Sequence, residues 1–117
     1  MNKDLENILV VTIEQAVAAP YASGKLAQAG ARVIKVERPE GDFARNYDQD
    51  VRGLSAYFVW LNHGKESLCL NLKDENDLNL LEKIISKACR ILQLKTTGFT
   101  TIKAIAVLKT IAQIKVK

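Results

Sequence analysis

The chain has 117 residues, 48% hydrophobic and 26% charged, the make-up expected of one soluble globular domain with a single core. No stretch approaches the roughly 18 apolar residues of a membrane-spanning helix. The polar opening MNKDLEN argues against a secretory leader. Two cysteines, Cys69 and Cys89, fit small residues in or near a core of a cytoplasmic protein better than a disulfide scaffold. The net charge of +4 is unevenly spread. Residues 1–88 hold eleven Lys and Arg against all thirteen Asp and Glu, whereas residues 89–117 hold six basic residues and no acid. Threonine shifts with them: Thr12 stands alone before residue 89, and five follow.

In chain order, ILVV (8–11) is a short apolar run suited to a parallel strand covered on both faces. EQAVAAP reads as a loop, with Pro20 in the first turn of a helix that continues through YASGKLAQAG and stops at Gly30. ARVIKV (31–36) is a second strand, so a right-handed β-α-β unit with a parallel pair is expected. SAYFVWL (55–61) reads as a short buried helix capped by Ser55, and SLCLNL (67–72) alternates as a strand does. Asp74 precedes ENDLNLLEKIISKA, a helix with Leu78, Leu81, Ile84 and Ile85 on one stripe. The fold class is α/β, and ligands are expected beyond the carboxyl ends of the strands.

The second strand ends in VIKVERPEGD, where Glu37 stands at the position from which an acid grips ribose in nicotinamide enzymes. The preceding loop has no G-x-G-x-x-G, which counts against a dinucleotide. Arg38 has two readings: a bidentate grip on phosphate, or a surface pair with Glu37, Glu40 or Asp42. His63 reads as a solvated loop side chain, and Asp48, Asp50 and Arg52 as decoration of a surface loop. Tyr57 and Trp60 read as core rather than stacking platforms. Asp74, Glu75 and Asp77 suit the first turn of a helix and call for no metal.

The segments LENILVVTIEQAVAAPYASGKLAQAGARVIKVERPEGDFARNY and SAYFVWLNHGKESLCLNLKDENDLNLLEKIISKA together resemble the amino terminus of class III CoA-transferases, the CaiB/BaiF family. The motifs are Ala18-Ala19-Pro20, the run from Leu26 to Arg45, Ser55 to Phe58, Asn62 to Ser67 and Leu70 to Lys73, in one register over about residues 5–88. The resemblance implies a Rossmann-like parallel β-α-β portion of a larger domain, and coenzyme A as ligand. On that pattern Arg38 holds a CoA phosphate and Val17 and Ala18 line the nucleotide. Leu70, Asn71, Leu72 and Lys73 give backbone and side-chain contacts to the adenine and phosphate side.

The same resemblance places the aspartate nucleophile of the transferases past residue 117, so no catalytic residue is assigned here. It also implies interlocked homodimers that a chain this short does not complete. The expected function is therefore the CoA-binding part of an acyl-CoA:carboxylate CoA-transferase, inactive alone, without metal, nucleic acid or membrane partner. Residues 89–117 depart from the family pattern. Loss of two bases after the Ala88 codon would let the neighbouring frame of residues 95–104 read K-P-Q-A-L-Q-Q-L-K-L, close to the relatives' K-P-G-A-L-x-x-L-G-L. A frameshift-derived tail is the expectation, joined to a domain of residues 1–88. The alternative is a non-enzymatic binding module using a basic amphipathic helix, with Ile102, Ile105, Leu108 and Ile111 on one face, against anionic membrane or nucleic acid.

Overall fold

The computed structural model describes residues 4–88 and the backbone of 90–92. Four parallel strands, β1 (Leu9–Ile13), β2 (Arg32–Glu37), β3 (Glu66–Cys69) and β4 (Arg90–Leu92), form one sheet in the order β3-β2-β1-β4. Helices α1 (Ala18–Gln28), α2 (Ala56–Asn62) and α3 (Glu75–Lys87) connect them, with a 3-10 turn at Phe43–Asn46. The expected α/β class and the β-α-β unit are both present. Expectations for the amphipathic stretch at 102–111, the composition break and Cys89 lie outside the described residues.

Strand period explains what each face carries. Val11, Ile13 and Val36 point to one side, where they pack with Leu78, Leu81 and Ile85 of α3 and with Leu70, Leu72 and Ala88. Val10, Val33 and Ala31 pack on the other side with Leu26 and Ala27 of α1. That second face is apolar only at its start. By alternation it continues as Thr12 of β1 and Glu14 just past its end, and as Lys35 and Glu37 of β2, all buried.

The helices are set by local chemistry. Pro20 is buried in the first turn of α1, where its missing N–H costs nothing. Ser55 caps α2 by accepting from the Phe58 N–H at 3.2 Å. Asp74 caps α3 by accepting from the N–H groups of Asn76 (2.9 Å) and Asp77 (3.2 Å). Small residues let α1 and α2 approach closely: a Cβ on Gly24 would sit 3.1 Å from the Leu61 carbonyl oxygen.

Three expectations are corrected. Tyr57 and Trp60 are exposed, Trp60 by 57%, because the seven-residue α2 turns only Leu61 fully inward. Cys69 is exposed rather than in the core: it pairs with Glu37 across β2 and β3 and so stands on the polar face of an edge strand. The third strand is Glu66–Cys69, not 67–72, and Leu70 and Leu72 instead enter the α3 core from the turn beyond it.

Candidate functional site

The polar half of the sheet face holds a continuous chain of hydrogen bonds among the described residues. Glu14 Oε1 accepts from Ser23 Oγ at 2.7 Å and from Lys65 Nζ at 2.9 Å. Lys65 Nζ also donates to the Pro20 carbonyl (2.8 Å) and to Asn62 Oδ1 (3.1 Å). Asn62 Oδ1 accepts in turn from Lys35 Nζ at 2.9 Å, and Lys35 makes a buried ion pair with Asp42. Burial pushes the Lys65 ammonium below its ordinary pKa, and the Glu14 hydrogen bond and charge oppose that shift. Buried charges persist only when paired in this way.

Asp42 anchors two loops at once. Its Oδ1 accepts from the N–H groups of Ala16 and Ala44, each at 2.9 Å, and so holds the β1–α1 loop against the turn after β2. Ala16 takes a left-handed conformation (φ 65°) to make this contact. Sequence reasoning missed this network. The available signal was a lysine inside VIKV, a strand expected to be buried.

Beyond Asp42 the chain of contacts reaches the carboxyl edge of β2 and β3. There Glu37, Arg38, Pro39, Glu40, Gly41, Arg45, Ser67 and Cys69 line a hollow of about 240 Å³. Glu37 accepts twice from Arg45, at 2.9 and 2.8 Å, once from Ser67 Oγ at 2.8 Å and once from the Asp42 N–H at 3.1 Å. Burial pushes its carboxyl up, but the Arg45 and Ser67 hydrogen bonds, the Arg45 charge and the Asp42 N–H outweigh it and bring the pKa from 4.5 to about 2.

Arg38 stands at this rim with 28% of its side chain exposed. Its Nε donates to the Gly41 carbonyl at 2.9 Å, and its guanidinium lies 4.0 Å from the Phe43 ring centroid. Its ion-pair contact among the described residues is a long one, 3.9 Å to the exposed Glu40. The surface pair with Glu37 goes to Arg45 instead.

The other expected site residues lie at the same carboxyl edge of the sheet. Val17 and Ala18 are exposed at the start of α1, which has no side-chain cap. Leu70 and Leu72 turn their side chains into the α3 core, so only their backbone is left for a ligand, and the Leu70 N–H is already given to the Glu37 carbonyl at 2.9 Å. Asn71 and Lys73 are exposed, with Asn71 Oδ1 accepting from the Lys73 N–H at 3.1 Å and the Asn71 N–H donating to Asp77 at 2.8 Å.

His63 is exposed as expected. Asp48 is more than surface decoration: it accepts from Ala56 N–H (2.7 Å), Asp50 N–H (3.1 Å) and Ser55 Oγ (3.0 Å). The Ala56 and Asp50 amides in particular hold its carboxyl below the ordinary carboxylate pKa. Among the described residues no helix is long and apolar enough to cross a membrane.

Comparison with known proteins gives this arrangement its class. The model of CoA-transferase family III matches residues 5–89. The chain belongs to CoA-transferase family III, the CaiB/BaiF family. It is 39% identical over 84 residues to the acetyl-CoA:oxalate CoA-transferase of Acetobacter aceti, covering 71% of this chain and 22% of that protein. It is 37% identical over 89 residues to the succinyl-CoA:mesaconate CoA-transferase of Haloarcula marismortui, covering 72% of this chain and 22% of that protein. The crystal structure of a CaiB/BaiF family protein from Brucella suis superposes with a TM-score of 0.73 at 33% identity, over 80% of this chain and 26% of that one. The chain thus spans about a fifth of the length of the curated relatives it matches.

Proposed function

We propose that these residues form the nucleotide-gripping part of an acyl-CoA:carboxylate CoA-transferase, with Arg38 holding a phosphate of coenzyme A. The observation that carries this reading is the state of Arg38. It is fixed at Nε and stacked on Phe43 at the carboxyl edge of a parallel sheet, yet has no carboxylate closer than 3.9 Å among the described residues. A guanidinium so placed has its terminal nitrogens available for a bidentate phosphate contact.

Val17 and Ala18 line the nucleotide. The backbone of Leu70, Asn71 and Leu72 and the side chain of Lys73 serve the adenine and phosphate side. The acetyl-CoA:oxalate and succinyl-CoA:mesaconate CoA-transferases among the relatives support transfer of CoA between carboxylic acids as the reaction class. No described residue is assigned as nucleophile, and no acyl transfer is expected from these residues alone.

Calorimetric titration of the 117-residue chain with CoA tests the reading. A charge-assisted phosphate contact contributes about 1.5–3 kcal/mol, so Arg38→Ala is expected to weaken binding about tenfold or more. Equal affinity in the wild type and the variant contradicts the assignment of Arg38.

A further inference from the structure

Arg38 does not set its own position. Its Nε is held by the Gly41 carbonyl at 2.9 Å, while the Gly41 N–H returns to the Arg38 carbonyl at 2.8 Å. The turn between them depends on Gly41 at φ 79°, a conformation that a side chain strains. Gly41 also packs directly on Arg45: a Cβ there would lie 3.0 Å from Arg45 Cδ and 3.3 Å from Arg45 Nε.

Arg45 is itself locked. It makes two hydrogen bonds to Glu37 and lies 3.9 Å from the Phe58 ring centroid. Glu37 is tied further to Ser67 of β3 and to the Asp42 N–H. The route from the edge strand to the Arg38 guanidinium therefore runs through Glu37, Arg45 and Gly41, each step a direct contact.

We infer that Glu37, Arg45 and Gly41 are positioning residues for the anion grip of Arg38. Glu37 takes up the charge of Arg45, which leaves Arg38 as the cation of the hollow without a close carboxylate. The packed face of Arg45 fixes the Gly41 turn, whose carbonyl then aims the Arg38 guanidinium along the sheet edge. The inference rests on the reading of Arg38 as a phosphate-binding group. It adds that the affinity of this group depends on how Glu37, Arg45 and Gly41 hold its guanidinium, besides any contact they make themselves.

Two readouts on the full chain separate the inference from the reading beneath it. The first is the Arg38 Nε–H resonance, assigned by its loss in Arg38→Ala. In the wild type it is expected to exchange slowly, and in Arg45→Met and in Gly41→Ala to exchange at the rate of a solvated arginine. The second is a CoA titration of Arg45→Met made in two backgrounds, the wild-type chain and the Arg38→Ala variant.

Arg45→Met is expected to weaken binding on the order of fivefold when Arg38 is present and by less than about twofold when it is absent. Gly41→Ala, which strains the turn but keeps both side chains of the Arg45–Glu37 pair, serves as the second variant should Arg45→Met fail to fold. An unchanged Nε–H resonance in the folded variants overturns the positioning role whatever CoA does, as does a loss of affinity equal in both backgrounds. Absence of any CoA binding by the wild type instead overturns the phosphate reading, and the resonance still decides whether the three residues hold Arg38.

Discussion

Two cation-bearing regions meet at the carboxyl end of the sheet, and they differ in what the chain has already supplied to them. In the inner region Lys35 and Lys65 are buried, and each meets a carboxylate as well as the shared oxygen of Asn62. At the rim Arg38 is stacked and hydrogen bonded, but its carboxylate contact is long and exposed. Lys73 is exposed beyond the end of β3. The difference follows from solvation. A buried ammonium without a partner costs several kcal/mol, whereas a rim guanidinium keeps its water until a ligand replaces it. The inner lysines therefore hold the loops in place, and the rim cations are the ones we propose for recognition.

The largest effect should come from the inner region. Lys35→Met leaves Asp42 as a buried carboxylate without its cation and removes one donor from Asn62. A loss of about 3–5 kcal/mol in urea unfolding is expected. A loss below about 1 kcal/mol would mean that water reaches Asp42 and that the two regions are less distinct than their burial implies.

A smaller, pH-dependent effect belongs to the join between the regions. Glu37 has a carboxyl held at about 2 against an ordinary 4.5, so the folded state favours its charged form. The stability this contributes is complete above pH 4.5 and is lost as the pH falls toward 2. Arg45→Met removes the hydrogen bonds and charge that offset burial. The variant should be less stable than the wild type at neutral pH, and the gap should narrow on acidification through that window. Stability curves that instead run parallel from about pH 6 to the acid limit would separate Glu37 from Arg45 energetically.

The sequence made some of this legible and hid the rest for identifiable reasons. Apolar runs and cap residues located all three described helices, with Ser55 and Asp74 capping as read. Strand ends were less visible. The first strand runs past ILVV because Thr12, though polar, is buried within it, whereas SLCLNL stays apolar past its paired segment. Tyr57 and Trp60 misled because aromatic content in a short helix says nothing about which side meets the sheet. Lys35 was invisible as a structural ion because Asp42 and Asn62, its partners, come from a turn and a helix that no local period connects. Arg38 stood out at the strand end, but that Arg45 takes Glu37 while Arg38 keeps a long contact to Glu40 shows only in the structure.

The most direct measurement is a phosphorus NMR titration of CoA with the wild-type chain and with Arg38→Ala. If the rim is the recognition region, a CoA phosphate resonance shifts or broadens with the wild type and stays at its free position with the variant. The variant stays folded, with an unfolding free energy lowered by no more than about 2 kcal/mol through the lost Gly41 hydrogen bond and Phe43 stacking. If the two proteins perturb the phosphate resonances alike, Arg38 does not hold CoA and the division between a structural interior and a binding rim is wrong.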